Sequence, residues 1–354
     1  MSRFAYRLMR QMALNNHRAI GYTWHILENQ ANYMINLPND SFFQTVQPAQ
    51  PDCEVEMLAG LTQAAGEAET GWDKTAIVNI YVALKSKPLA ILTGPKQTGK
   101  IELIRRLAQV LTESDNRQYQ MMAGHPWSFE KSENVALFTE AQMRFNTDKL
   151  LSMVEEAWQP ENTRRVFIAC ITRISPAELL SFFTEVAFQI RNGYFGHLGD
   201  IHFSKPVPFP PNLFLIGTMD TSSFDWWDND LLSETTIIQL ASSSMFACPA
   251  EDGIAPLDER VFLHSCVRTR QAAFCRVHAI LKKFHQPLRP LLIIESLLQA
   301  HGVLLSNQVI EDAIVYLANS WSWLGNGLFN PEISKKSGDC SRSGNIPDHS
   351  AQSV

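Results

Sequence analysis

No apolar run in the chain approaches the ~20 residues that a membrane helix needs; the best, Pro290-Leu-Leu-Ile-Ile294, stops at Glu295. No C-x-x-C pair occurs among Cys53, Cys170, Cys248, Cys266, Cys275 and Cys340. Unpaired in a chain of 354 residues, they read as reduced thiols of a cytoplasmic protein, and neither a disulfide framework nor a zinc site is expected. Positive charge is not in excess either. The 30 Lys and Arg stand against 36 Asp and Glu, which argues against coating nucleic acid by charge; apart from a local basic patch, contact with it is expected only through partners. There is no G-x-S-x-G elbow, and Cys170 ends an apolar strand, so no activated nucleophile is marked. His278 and His285 near Cys266 and Cys275 fit no standard ligand spacing, and no metal centre is expected.

What is present is an ordinary globular composition: 45% hydrophobic and 19% charged, enough apolar residues to fill real cores and exclude wholesale disorder. Residues 1–36 read as a helical N-terminal extension, with Phe4, Leu8, Met12, Ile20, Trp24 and Ile26 as a broken apolar stripe. Its arginines, Arg3, Arg7, Arg10 and Arg18, read as a solvated face rather than a targeting signal, since no Ser-rich stretch accompanies them. Residues 37–74 collect Pro38, Asn39, Asp40, Pro48, Pro51 and Asp52 and read as a linker.

The pattern changes at 75. Apolar runs Leu89–Thr93, Tyr119–Met122, Val166–Cys170, Leu213–Gly217 and Thr236–Leu240 alternate with helical patterns over Thr75–Leu84, Lys100–Leu111, Phe145–Ala157 and Pro176–Ile190. The expectation for 75–250 is an α/β core, a parallel sheet with helices on both faces. Only helical patterns follow, so 251–330 is expected to be a small all-helical lid domain, and 331–354, without apolar anchors, a disordered tail.

The sharpest feature is Gly94-Pro95-Lys96-Gln97-Thr98-Gly99-Lys100-Ile101, a G-x-x-x-x-G-K loop between an apolar strand and an amphipathic helix. Glycines let successive backbone N–H groups face a polyphosphate, and the helix N-terminus adds the positive end of its dipole. Lys100 would bridge the outer phosphates, and Lys96 adds a second positive charge. One position departs from a working loop: the residue after the lysine normally ligates Mg²⁺ through a hydroxyl, and Ile101 has none.

The segment Val82-Ala-Leu-Lys-Ser-Lys-Pro-Leu-Ala-Ile-Leu-Thr-Gly-Pro-Lys-Gln-Thr-Gly-Lys100 resembles the start of the AAA+ domain of McrB-like NTPases, motor subunits of modification-dependent restriction systems. Pro210-Pro-Asn-Leu-Phe-Leu-Ile-Gly-Thr-Met-Asp220 is similar to that family's P-P-N-L-x-x-x-G-T-x-N, and the resemblance spans roughly 75–325. It implies a P-loop AAA+ core with a helical lid, ATP or GTP as ligand, and assembly with itself or with an AAA+ or effector partner. It also shows what is missing. The acidic Walker B pair falls on Ala169 and Cys170, the sensor asparagine on Asp220, and the arginine-finger segment on Leu232–Thr235, with no arginine near Thr235. Neither an alanine nor a neutral thiol can hold Mg²⁺ or polarise water. Asp220 would set a negative charge against the γ-phosphate unless something neutralises it.

The resemblance therefore implies a pseudo-NTPase, a non-catalytic subunit or scaffold. The alternatives are a motor completed by residues from a partner and a nucleotide-independent interaction protein. Arg289, leading a lid helix, is either a second sensor reaching phosphate or a surface arginine, and Trp226-Trp227 either a partner contact or part of a helix-capping loop.

Overall fold

The computed structural model describes residues 52–67, 74–112, 117–124, 135–174, 182–193, 195–198, 201–220, 231, 234–240, 257–284, 297, 300, 307–322 and 324–329. The expectations for residues 1–36, Arg289, Trp226-Trp227, His285 and the tail lie outside the described residues. The described residues divide into two compact units, one drawn from 51–266 and 320–354, the other from 267–319.

The larger unit is an α/β fold. Its helices are α1 (Cys53–Glu67), α2 (Lys74–Ser86), α3 (Lys100–Leu111), α4 (Val135–Ala157), α5 (Thr184–Arg191) and α6 (Glu259–Ser265). Its strands are β1 (Leu89–Thr93), β2 (Tyr119–Ala123), β3 (Phe167–Thr172), β4 (Phe195–Leu198), β5 (Ile201–Val207), β6 (Leu213–Met219) and β7 (Thr235–Gln239). Five of them form one sheet in the order β2-β3-β6-β1-β7, every pairing parallel. β4 and β5 make a separate antiparallel pair. Every residue of β1, β3 and β6 is buried, as strands covered on both faces must be, and hence their unbroken apolar sequences. At the edge, β2 buries Met122 but exposes Met121 and Ala123.

A hydrophobic core packs against this sheet. On one face Ile91, Phe167, Ala169 and Leu215 pack with Val154 of α4 and with Phe183 and Val186. Elsewhere in the unit Phe262 of α6 meets Tyr81 of α2 and Phe214 of β6, ring centroids 5.5 and 5.3 Å apart. Glu259 fixes α6 to the sheet, accepting hydrogen bonds from the Val166 N–H and, at 2.8 Å, from the Gln118 amide.

Within the stretch expected to be a linker, Cys53–Glu67 forms α1. Asp52 caps it through the Val55 N–H, and Met57, Leu58 and Leu61 bury a helical stripe. Its Glu54, fully buried, accepts from Tyr81 Oη and Lys85 Nζ, both at 2.8 Å, and Lys85 also donates to the Trp321 carbonyl at 3.1 Å. Asp52 accepts from the Ser322 hydroxyl and from Asn326 Nδ2, so the segment 320–329 is tied to the start of α1.

The smaller unit contains α7 (Arg270–Phe284) and α8 (Asn307–Asn319), packed through Ala273, Val277, Ile314, Val315 and Ala318. Asn319 pairs with the Val267 backbone in both directions, at 2.9 and 2.7 Å. No helix among the described residues is long and apolar enough to cross a membrane.

Candidate functional site: a phosphate loop closed by a carboxylate

β1 runs into the loop at Thr93, and α3 begins at Lys100. The turn between them needs left-handed backbone at three places: Gly94 (φ 147°), Gln97 (φ 66°) and Gly99 (φ 73°). Gly94 is also confined, because a Cβ there would stand 2.5 Å from the Leu240 carbonyl oxygen. Gly99 caps α3 and makes no side-chain hydrogen bond to its first turn. Lys96 and Gln97 are exposed at the crest, whereas Thr98 and Lys100 are buried. The loop lies at the carboxyl ends of parallel strands, where open α/β sheets hold their ligands.

Lys100 is the centre of the site. Its ammonium donates to the Gly94 carbonyl at 3.0 Å, the Pro95 carbonyl at 2.7 Å and Thr98 Oγ1 at 3.1 Å. It also forms an ion pair with Asp220 Oδ1 at 3.0 Å. The register explains the last contact. β6 lies beside β1, and Met219 pairs with Thr93, so Asp220 stands abreast of Gly94. The charge expected to oppose a γ-phosphate is thus neutralised by the lysine that would have held that phosphate.

The other sequence-predicted positions are not gathered there as oxygen donors. Ile101 is partly buried and has only hydrocarbon to offer. Ala169 and Cys170 lie in mid-β3, both fully buried, and burial pushes the Cys170 thiol up to about 12. No carboxylate can be recovered by shifting one place along the strand, since Ile168 and Ile171 flank them. Thr235 opens β7 opposite Leu89, at the far end of β1 from the loop, and its buried hydroxyl has no hydrogen-bond partner. No group of three or more His, Cys, Asp or Glu is placed to hold a metal among the described residues. Arg173, not singled out by its sequence, follows β3 with φ 56°, its N–H bonded to Thr218 Oγ1 at 2.9 Å. A non-glycine residue in that conformation is uncommon and clusters near functional sites.

No family model matches the chain, and no curated protein matches it. Among solved structures, a proposed ATPase from Cytophaga hutchinsonii aligns at 10% identity with a TM-score of 0.40, covering 80% of this chain and 86% of that one. The apo A form of the NrS-1 C-terminal region aligns at 11% identity with a TM-score of 0.27, covering 82% and 71%. Neither likeness is close enough to carry a functional argument, which rests on the site itself.

Proposed function

We propose that the chain is a McrB-like AAA+ P-loop protein in which phosphate binding has outlasted hydrolysis. It serves as a non-catalytic subunit or scaffold of a multi-protein, defence-type assembly, beside copies of itself or an AAA+ or effector partner. The observation that supports the loss of hydrolysis is chemical: Ala169 and Cys170 of β3, on which the resemblance sets the acidic pair, carry no carboxylate. ATP or GTP suits the loop amides and Lys100. Mg²⁺ finds no oxygen on Ile101, Ala169 or Cys170, and no step is assigned to it. Losing one group that stabilises a phosphoryl transition state typically costs ~10²–10⁵ in rate, and here several are absent together. The assembly role rests on the family resemblance.

The direct test is phosphate release from ATP and GTP with Mg²⁺. Release by the wild type should not exceed that of Lys100→Ala; turnover that depends on Lys100 would sink the non-catalytic reading. A second reading, a nucleotide-independent interaction protein, is favoured by the filled hydrogen-bonding of Lys100. It predicts a melting temperature indifferent to every nucleotide.

A further inference from the structure

We propose that Asp220 is an internal occupant of the phosphate site, a carboxylate that competes with phosphate for Lys100 and sets the affinity of the loop. The inference rests on the reading of 94–101 as a phosphate loop and adds how that loop is regulated.

An ammonium has three protons to donate. Lys100 already has four oxygens within 3.1 Å: two loop carbonyls, the Thr98 hydroxyl and the Asp220 carboxylate. A phosphate oxygen can reach Nζ only by displacing one of them. The two carbonyls belong to the loop backbone, and Thr98 is held by its own bond to the Pro95 carbonyl at 3.1 Å. Asp220 is the remaining oxygen donor, and it carries the one full negative charge among the four. Its side chain is 26% exposed while that of Lys100 is 4% exposed, so the carboxylate closes the solvent side of a buried cation.

The placement is built into the sheet. Asp220 directly follows β6, all seven residues of which are buried, and the Met219–Thr93 pairing fixes its height against the loop. A carboxylate so anchored resembles a bound anion in charge and reach. With Asp220 in place the loop offers an incoming polyphosphate its amides and the exposed Lys96, and Lys100 only at the cost of displacing Asp220, so wild-type binding is weak but still uses Lys100. With Asp220 displaced or neutral, Lys100 becomes available and the loop is a metal-free anion site. The ligand class is the polyphosphate of a nucleotide or a free polyphosphate, which share this chemistry.

The experiment is calorimetric titration of ATP and of inorganic tripolyphosphate, in EDTA, into wild type, Asp220→Asn, Asp220→Ser, Lys100→Ala and Lys100→Ala/Asp220→Asn. Both single variants should bind at least tenfold more tightly than wild type, and the gain should vanish when Lys100 is also removed. A gain for both ligands assigns a bare polyphosphate site; a gain for ATP alone assigns a nucleotide site; either supports the exchange. Two single variants of differing size guard against one that fails to fold, and ligand-free melting curves verify the fold. Affinities equal to or weaker than wild type, with wild-type binding still lost in Lys100→Ala, would overturn the competition and leave the phosphate-loop reading intact. No binding by any folded variant would overturn both.

Discussion

At the scale of single residues, Cys170 is a buried thiol and not a reactive one. It is fully enclosed in β3, and burial raises its thiol from an ordinary 9.0 to about 12. The folded state therefore keeps a proton that the unfolded state releases above pH 9, and stability falls as pH rises from about 9 towards 12. Burial raises the Tyr81 and Tyr119 hydroxyls as well, in the same direction. The expected outcome is an alkaline loss of stability that eases in Cys170→Ala, read by urea unfolding at a series of pH values. Iodoacetamide at neutral pH should label the exposed Cys53 but not Cys170 until the chain is unfolded. Labelling of native Cys170 would mean that β3 is open to solvent and that its burial in the sheet is wrongly assigned.

At the scale of elements, α1 owes its position to a buried ion pair. Glu54 and Lys85 are both 0% exposed and meet at 2.8 Å, with Tyr81 completing the set. Breaking one partner leaves a buried charge behind, which typically costs ~3–5 kcal/mol, whereas replacing both by apolar residues is often neutral. Glu54→Gln should therefore lose stability of that order in chemical denaturation, and Glu54→Leu with Lys85→Met should recover most of it. Equal losses in single and double variants would contradict the pairing.

The elements also show what a reader of the sequence could see. The strands β1, β3 and β6 were legible because a strand covered on both faces is apolar throughout. The helix α1 was not, because Pro51, Asp52 and the small residues after Leu61 look like linker composition, while its stripe is only three residues long. The helix α4 begins at Val135, ten residues before the Phe145 start that periodicity suggests. The β4–β5 pair left a signal that went unused: Leu198 pairs with Ile201 across a two-residue Gly-Asp connection, a common hairpin signature.

At the scale of the whole molecule, the site is made by topology. β2 and β3, with their helices, intervene in sequence between β1 and β6, yet the order β2-β3-β6-β1-β7 lays β6 directly against β1. The loop and its lysine were legible as a motif between a strand and a helix. The ion pair that joins Lys100 to Asp220 was not legible, because it depends on strand adjacency and register. The same fold that carries the loop also buries Ala169 and Cys170 in mid-β3. The proposed consequence is a phosphate site that works without Mg²⁺.

That consequence is tested most directly by isothermal titration of ATP and GTP into wild type and Lys100→Ala, each with Mg²⁺ and with EDTA. Our account predicts binding that requires Lys100 and is unchanged by chelating the metal. Binding that appears only with Mg²⁺, or no heat from either nucleotide, would contradict it.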